Sequence, residues 1–583
     1  AWESQRQIKE IMIYLHGHGI TTNLALKIYK AYGDQSLAIV KSNPYRLARD
    51  IYGVGFKTAD RIAQSLGLPA DHPTRIEAGI SYVLEQLSGE GHVFGPRGIL
   101  EERAVELLTV ERSQIAPALE RLAAEELIVL DCVPLDEGQA PEPGNAVYLA
   151  PFYYAERGTA SRLRALAEAF PPRMADIPPA LTPLDPNLSP EQAEAIRTAL
   201  GSPVSVLTGG PGTGKTTAIR ALIAAAENAH KRFALASPTG RAAKRLSEAT
   251  GKPASTLHRL LEYSPMEGFG RGTEKPLKLD LLVVDEASML DILLANSLMR
   301  ALEPGTHLVL VGDIDQLPSV GAGDVLNDLI ESGLVPVTRL MQIFRQSADS
   351  HIITNAHLIN QGEMPEFAAE SEDFFRFPAE TPEQAADWVE DLVRNRIPGK
   401  FGIQPKDIQV LVPMYRGPGG IHALNARLQE ALNPGGALKP EKSLFGTVYR
   451  PGDRVMQVRN DYEKQVFNGD IGFIKAISQE EKSLTAEFDG RAVEYAWSEG
   501  DMLTLAYAVS VHKAQGSEFP AVVVPLLTQH YVMLQRNLLY TAVTRARRLC
   551  VLVSNHKAIG IAVRNNRESQ RWSALAWRIR EGD

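Results

Sequence analysis

Two short stretches carry residues that can do chemistry together. Residues 209–216 read GGPGTGKT. Glycines at 209, 210, 212 and 214 let the backbone turn tightly and aim successive N–H groups at an anion. Lys215 adds a cation and Thr216 a hydroxyl, just where a helical run (TTAIRALIAAAENA) begins. Farther on, LLVVDEASML (281–290) sets Asp285 and Glu286 at the end of an apolar run. A flexible glycine loop and a pair of helix-capping acids are the bland readings of the two stretches taken singly. Together they supply a phosphate cradle, a hydroxyl and carboxylate for Mg2+, and a carboxylate to activate water.

The first stretch fits G-x-x-x-x-G-K-[ST] in full, after a strand-like run (PVSVLTG) and before a helix, the context this phosphate-binding motif requires. The expected nucleotide contacts are Gly210, Pro211, Gly212, Thr213, Gly214, Lys215, Thr216 and Thr217. Thr216 and Asp285 are the expected Mg2+ ligands. Lys215 faces the β/γ-phosphates, and Glu286 is the general base. These assignments make the chain a P-loop nucleoside triphosphatase and leave open what hydrolysis drives.

The elements that must position these groups follow from periodicity. From about 190, buried-strand runs alternate with helices (RFALASP, LDLLVVDEA, THLVLVGD), and a second set follows (DIQVLVP, AVVVPLL, LCVLVS). This alternation predicts two parallel α/β sheets. Residues 444–505 are β-rich, with turns expected at Asn468-Gly469 and Asp489-Gly490, and read as a small barrel inserted in the second α/β unit. Residues 1–70 read as short helices with Gly-X-Gly turns in LHGHGI (15–20) and IYGVGFKTADRIAQSLGL (51–68). Such turns either bring backbone N–H groups to a phosphate or simply cap helices. Residues 75–150 combine helical runs with two strand-like ones, LIVLDCV and AVYLA, and 171–190 form a proline-rich linker.

Composition bounds the rest. A chain of 583 residues exceeds one hydrophobic core, so several domains are expected. The net charge of −9 excludes a uniformly basic surface but not a local basic groove. The two cysteines, Cys132 and Cys550, have no metal-ligand spacing and suit a reducing cytoplasm. No apolar run reaches bilayer length, so no membrane partner is expected. The first residue is Ala1, which implies a segment upstream.

Further segments follow in a fixed order: SPTGRAAKRL (237–246), TLHRLL (256–261), GDIDQLPSVGAGD (312–324), LMQIFRQ (340–346), YAVSVHKAQGSEF (507–519) and LLYTAVTRARR (538–548). The set resembles superfamily 1 helicases, within them the SF1B class and most closely the RecD-like branch in its longer form. That resemblance implies two RecA-like motor domains with ATP between them and an SH3-like barrel insert. The mainly helical N-terminal region resembles helix-hairpin-helix units in its Gly-X-Gly turns and a winged helix in the helices and two strand-like runs that follow. The expected boundaries are 1–70 and 71–170 for that region and 171–190 for the linker. The first motor spans 191–345, with a hairpin near 263–279, and the second spans 346–443 and 506–583 around the 444–505 insert.

The resemblance also implies roles. Gln192 reads the adenine edge, Gln316 senses the γ-phosphate, Arg345 and Arg545 reach it from the second motor, and Glu518 holds the ribose. Thr239, Arg241, His258, Ser510, His512 and Lys513 would contact DNA, a buried hydrogen-bonded histidine being the rival reading at 258 and 512. The implied activity is ATP-dependent 5′-to-3′ translocation on single-stranded DNA and unwinding at single-strand/duplex junctions, by a monomer. An SF1B RNA helicase and an ATP-switched DNA-loading factor are the alternatives. Arg547 and Arg548 read as ordinary surface or helix-end charges.

Overall fold

The computed structural model describes the chain except residues 1–13, 15, 18–19, 52, 136–138, 175–176, 178–187, 343–349, 438, 462, 567–570 and 583. Arg345, much of the proline-rich linker and part of the first Gly-X-Gly turn lie outside the described residues. The chain divides into two compact units. One holds residues 1–158, 321–323 and 571–578, the other residues 159–320, 324–570 and 579–583.

The N-terminal unit is mainly helical. Its short helices include Thr22–Tyr32, Ser36–Ser42 and Phe56–Ser65, the last entered through Gly53, at φ 87°, and Gly55. Further helices follow at Pro73–Gly89, Arg97–Leu108 and Ile115–Ala124. The expected strands form as Ile128–Asp131 and Ala146–Leu149, paired antiparallel. A third, Gly95–Pro96, pairs with the latter and carries no strand signal of its own in the sequence. Segment 571–578 packs here and not, as expected, with the second motor. The reason is electrostatic. Glu156 is fully buried and accepts hydrogen bonds from Arg578 Nε at 3.1 Å, Tyr148 Oη at 2.9 Å and Ser573 Oγ at 3.0 Å. Arg578 also pairs with Asp131.

The larger unit holds two parallel sheets. The first is six-stranded, in the order Val337–Leu340, Val204–Gly209, His307–Gly312, Leu281–Val284, Phe233–Ser237 and Ala254–Thr256. Helices cover both faces, so Leu281–Val284 is buried at every residue and reads as an unbroken apolar run. The second is five-stranded, in the order Phe374–Pro378, Ala546–Ser554, Phe519–Leu526, Ile408–Val412 and Ala508–Ser510. Between its members lies a five-stranded antiparallel sheet over 454–505, preceded by a small hairpin, 442–449.

Asp489-Gly490 makes the expected two-residue hairpin turn, with both residues at positive φ. Asn468-Gly469 does not. It ends a long excursion, 458–470, that reaches the first motor, where Phe467 lies 3.1 Å from the position a Cβ on Gly240 would take. The hairpin expected near 263–279 is confined to Tyr263–Ser264 and Gly268–Phe269, with Met266 exposed at its tip.

Candidate nucleotide site and nucleic-acid groove

The strand Val204–Gly209 delivers the phosphate loop, and the helix Lys215–Asn228 leaves it. Gly212 and Gly214 stand at φ 77° and 84°, values that favour glycine. Lys215 Nζ donates to the carbonyls of Gly209 and Gly210, the second at 3.1 Å. Thr213 Oγ1 donates to Gly210 O at 2.9 Å, and Thr216 is half-buried at the helix start.

Gln192 is buried near the start of the helix Pro190–Gly201. It closes a capping box with Ser189, and its Nε2 lies 3.4 Å from the carbonyls of Thr213 and Gly214. It therefore touches the phosphate loop directly.

Asp285 and Glu286 follow the strand Leu281–Val284, at the carboxyl edge where parallel sheets present ligands. Glu286 adopts a left-handed conformation, φ 54°, and its N–H donates to Asp285 Oδ1 at 2.9 Å. Burial, and then the neighbouring Glu286 charge, push the Asp285 carboxyl up to about 6. Two neighbouring carboxyls, with Asp285 also feeling the charge of the phosphate loop's Lys215, and a threonine at the start of the loop's helix are a donor set that fits a hard divalent cation.

The strand His307–Gly312 ends in a network that sequence reasoning missed. Gln316 Nε2 and Tyr540 Oη both donate to Asp313 Oδ2, at 2.9 and 3.0 Å. Tyr540 Oη also lies 3.1 Å from where a Cβ on Gly210 would stand. Tyr540 opens the YTAVTRARR stretch, whose arginines draw attention away from it. Next to Gln316, Leu317 is held on both sides. Its N–H donates to Thr541 Oγ1 at 2.9 Å, and its carbonyl accepts from Gln515 at 2.6 Å.

Arg545 ends the helix Arg536–Thr544 and is buried. Its guanidinium donates to Thr541 O, Ser517 O and Thr544 Oγ1 at 3.2–3.3 Å. Arg547 and Arg548 are exposed and belong to the strand Ala546–Ser554, not to a helix end. Arg547 pairs with Glu518 at 3.6 Å, and Arg245 pairs with the same carboxylate at 2.8 Å. Glu518 is thus held between two arginines.

Five of the six expected nucleic-acid contacts meet in one groove of about 530 Å3: Thr239 and Arg241 from the first motor, Ser510, His512 and Lys513 from the second. Tyr415, Asn468 and Val320 join them, along with Met289, Met414 and Met533. Arg241 donates to Ser517 Oγ at 2.8 Å and lies over the Phe519 ring, and burial lowers its pKa. Lys513 Nζ donates to Asn468 Oδ1 at 2.6 Å, and burial lowers its pKa too. Thr239 Oγ1 caps the helix Gly240–Thr250 by accepting from Ala242 N at 3.3 Å.

His258 does not line this groove. Its ring packs against Tyr263 and Phe269 at the root of the hairpin, with centroids 5.3 and 5.6 Å apart. Tyr415 and Asn468 were missed because they sit in loops far from any recognised segment. A tyrosine beside Arg-Gly in PMYRG was the one available signal.

Family models match residues 4–94 (ATP-dependent RecD2 DNA helicase HHH domain), 187–376 (AAA domain), 424–488 (ATP-dependent RecD-like DNA helicase SH3 domain) and 505–553 (UvrD-like helicase C-terminal domain). The ATP-dependent RecD2 DNA helicase of Deinococcus radiodurans is 38% identical over 591 residues, covering 100% of this chain and 79% of that protein. The RecBCD enzyme subunit RecD of Mycolicibacterium smegmatis is 31% identical, covering 89% and 96%. Among solved structures, Bacteroides Pif1 bound to single-stranded DNA aligns at a TM-score of 0.40 with 22% identity, covering 64% of this chain and 92% of that one.

Proposed function

Because this chain belongs to the family of ATP-dependent RecD2 DNA helicases, we propose that it uses ATP hydrolysis to move 5′-to-3′ along single-stranded DNA and to part the duplex at a junction. The observation that carries the coupling is the position of Gln316 and Leu317. Gln316 faces Asp313 beside the phosphate loop, while the carbonyl of Leu317 is held by Gln515, a wall of the groove. One peptide unit therefore joins the nucleotide network to the nucleic-acid groove. A shift of Gln316 at hydrolysis is transmitted to the groove with little slack.

In this reading Lys215 and the loop N–H groups hold the polyphosphate, and Glu286 takes the proton of the attacking water. Thr216 and Asp285 would hold Mg2+, which would supply charge neutralisation at the phosphoryl group. Arg545 and Arg345 reach that group from the second motor. Gln192 reads the adenine edge. Glu518 meets the ribose on leaving one of its two arginines. Thr239, Arg241, Ser510, His512 and Lys513 grip the strand, and the hairpin tipped by Met266 splits the duplex. The domain bounds expected from the sequence belong to the same reading, except that 321–323 and 571–578 join the N-terminal unit and 159–170 the larger one. So do action as a monomer and a cytoplasmic location.

The test is unwinding of duplexes with a 5′ or a 3′ single-stranded tail, with ATP and Mg2+, using the intact chain and Lys215→Ala as control. Unwinding from the 5′ tail alone, lost in Lys215→Ala, is expected. Unwinding only from the 3′ tail overturns the polarity.

A further inference from the structure

One side chain beside the phosphate loop has no role in this scheme. The helix His351–Gln361 belongs to the second motor and packs against the helix Arg536–Thr544, sharing its apolar core through Ile352, Ala356 and Ile359. That packing fixes the helix rotation and turns His357 toward the loop. Its Cε1 lies 3.8 Å from the position a Cβ on Gly210 would take. The adjoining Nε2 is buried and finds no hydrogen-bond partner among the described residues. A buried ring nitrogen without a partner is costly, by roughly 1–3 kcal/mol, unless something else bonds to it.

The surroundings narrow what that can be. Lys215 Nζ sits on the carbonyls of Gly209 and Gly210, so this end of the loop is where the lysine serves the β/γ-phosphates. Tyr540 Oη reaches the same point but is committed to Asp313. Asp315 lies nearby as well, its carboxyl raised by burial and by the Asp313 charge. An imidazole carrying a proton on Nε2 donates from that atom.

We infer that His357 donates a hydrogen bond from Nε2 to the terminal phosphate of ATP, delivered from the second motor across the cleft. It thereby distinguishes triphosphate from diphosphate in concert with closure of the two motors. This rests on the ATP-driven reading above. Loss of one hydrogen bond to a charged group corresponds to about a tenfold change in affinity or more.

The test is equilibrium binding of fluorescently labelled ADP and of a labelled non-hydrolysable ATP analogue, with Mg2+, to the intact chain, His357→Ala and His357→Gln. His357→Ala is expected to lose about tenfold for the triphosphate and to bind ADP as the intact chain does. His357→Gln, whose amide N–H can stand near Nε2, is expected to recover most of the loss. Equal weakening for both nucleotides, no weakening for either, or a loss that glutamine does not restore would each overturn the inference. Failure of the parent reading is seen separately, as absence of DNA-stimulated ATP hydrolysis by the intact chain.

Discussion

The phosphate loop is one unbroken run, 209–216, whereas the groove beside it takes its walls from 239–241, 289, 320, 413–415, 468–469, 510–517 and 533. Both lie in the same unit. The loop settles its own lysine on its own carbonyls, Gly209 and Gly210. The groove's cations are tied across the chain instead, Arg241 to Ser517 and Lys513 to Asn468, and burial lowers the pKa of both. A site made by one segment should fail all at once when a key group is removed. A site made by many should lose grip by degrees. The two also differ in what they offer a ligand: the loop a dense cluster of donors, the groove a mainly apolar trough with thioethers and one exposed tyrosine ring, suited to bases as well as to backbone.

The largest effect should separate the two sites cleanly. Arg545→Ala is expected to lower DNA-stimulated ATP turnover by roughly 10³-fold, while single-stranded DNA affinity without nucleotide changes little. Arg548→Ala, exposed on its strand, should alter turnover no more than a few-fold. Steady-state ATPase and fluorescence anisotropy read the two quantities, and equal losses in both variants would turn the stretch into a general phosphate grip.

A graded loss is expected from the groove. Arg241→Ala removes a buried guanidinium and should weaken single-stranded DNA binding by about 10- to 100-fold, with ATP affinity held. Loss of nucleotide binding to the same extent would mean that the groove and the loop are not separable.

The smallest effect is the most specific. Burial lowers the pKa of Lys513, so as pH rises its charge is lost sooner than that of a free lysine. Single-stranded DNA affinity should therefore fall as pH rises into that range. Lys513→Arg, which does not titrate there, should abolish the fall. Lys513→Ala should also lower the salt dependence by about one phosphate contact. A pH profile identical in the intact chain and Lys513→Arg would remove Lys513 from the backbone grip.

Legibility follows the same division. The loop and the acids could be read directly because glycine, lysine, threonine and carboxylates at fixed spacing have few other uses. Both parallel sheets were visible as apolar runs between helices. Thr239, Arg241, Ser510, His512 and Lys513 were found through ordered segments, and the fold does bring them together. His258 was assigned with them, yet its ring is used by two aromatic neighbours that lie near it in the chain and that its own segment does not announce. Asp313 and Tyr540 escaped notice because they meet across 227 residues of chain, and His357 because the phosphate loop it faces lies far upstream. Asn468-Gly469 looked like a hairpin turn, since the dipeptide carries that signal wherever it stands. Here the neighbouring excursion uses it to build a wall. The two-residue strand Gly95–Pro96 is too short to leave any period at all.

The carboxylate of Glu156 is buried within the N-terminal unit, and its guanidinium partner lies 422 residues farther along. A ribosome adding about 5–20 residues per second would need roughly 20–80 s to make Arg578 after Glu156. Throughout that interval the first unit to be synthesised lacks the charge that its buried carboxylate requires. The N-terminal unit is begun first, yet its buried carboxylate gains this partner only after residues 159–320 and 324–570 of the larger unit have been translated.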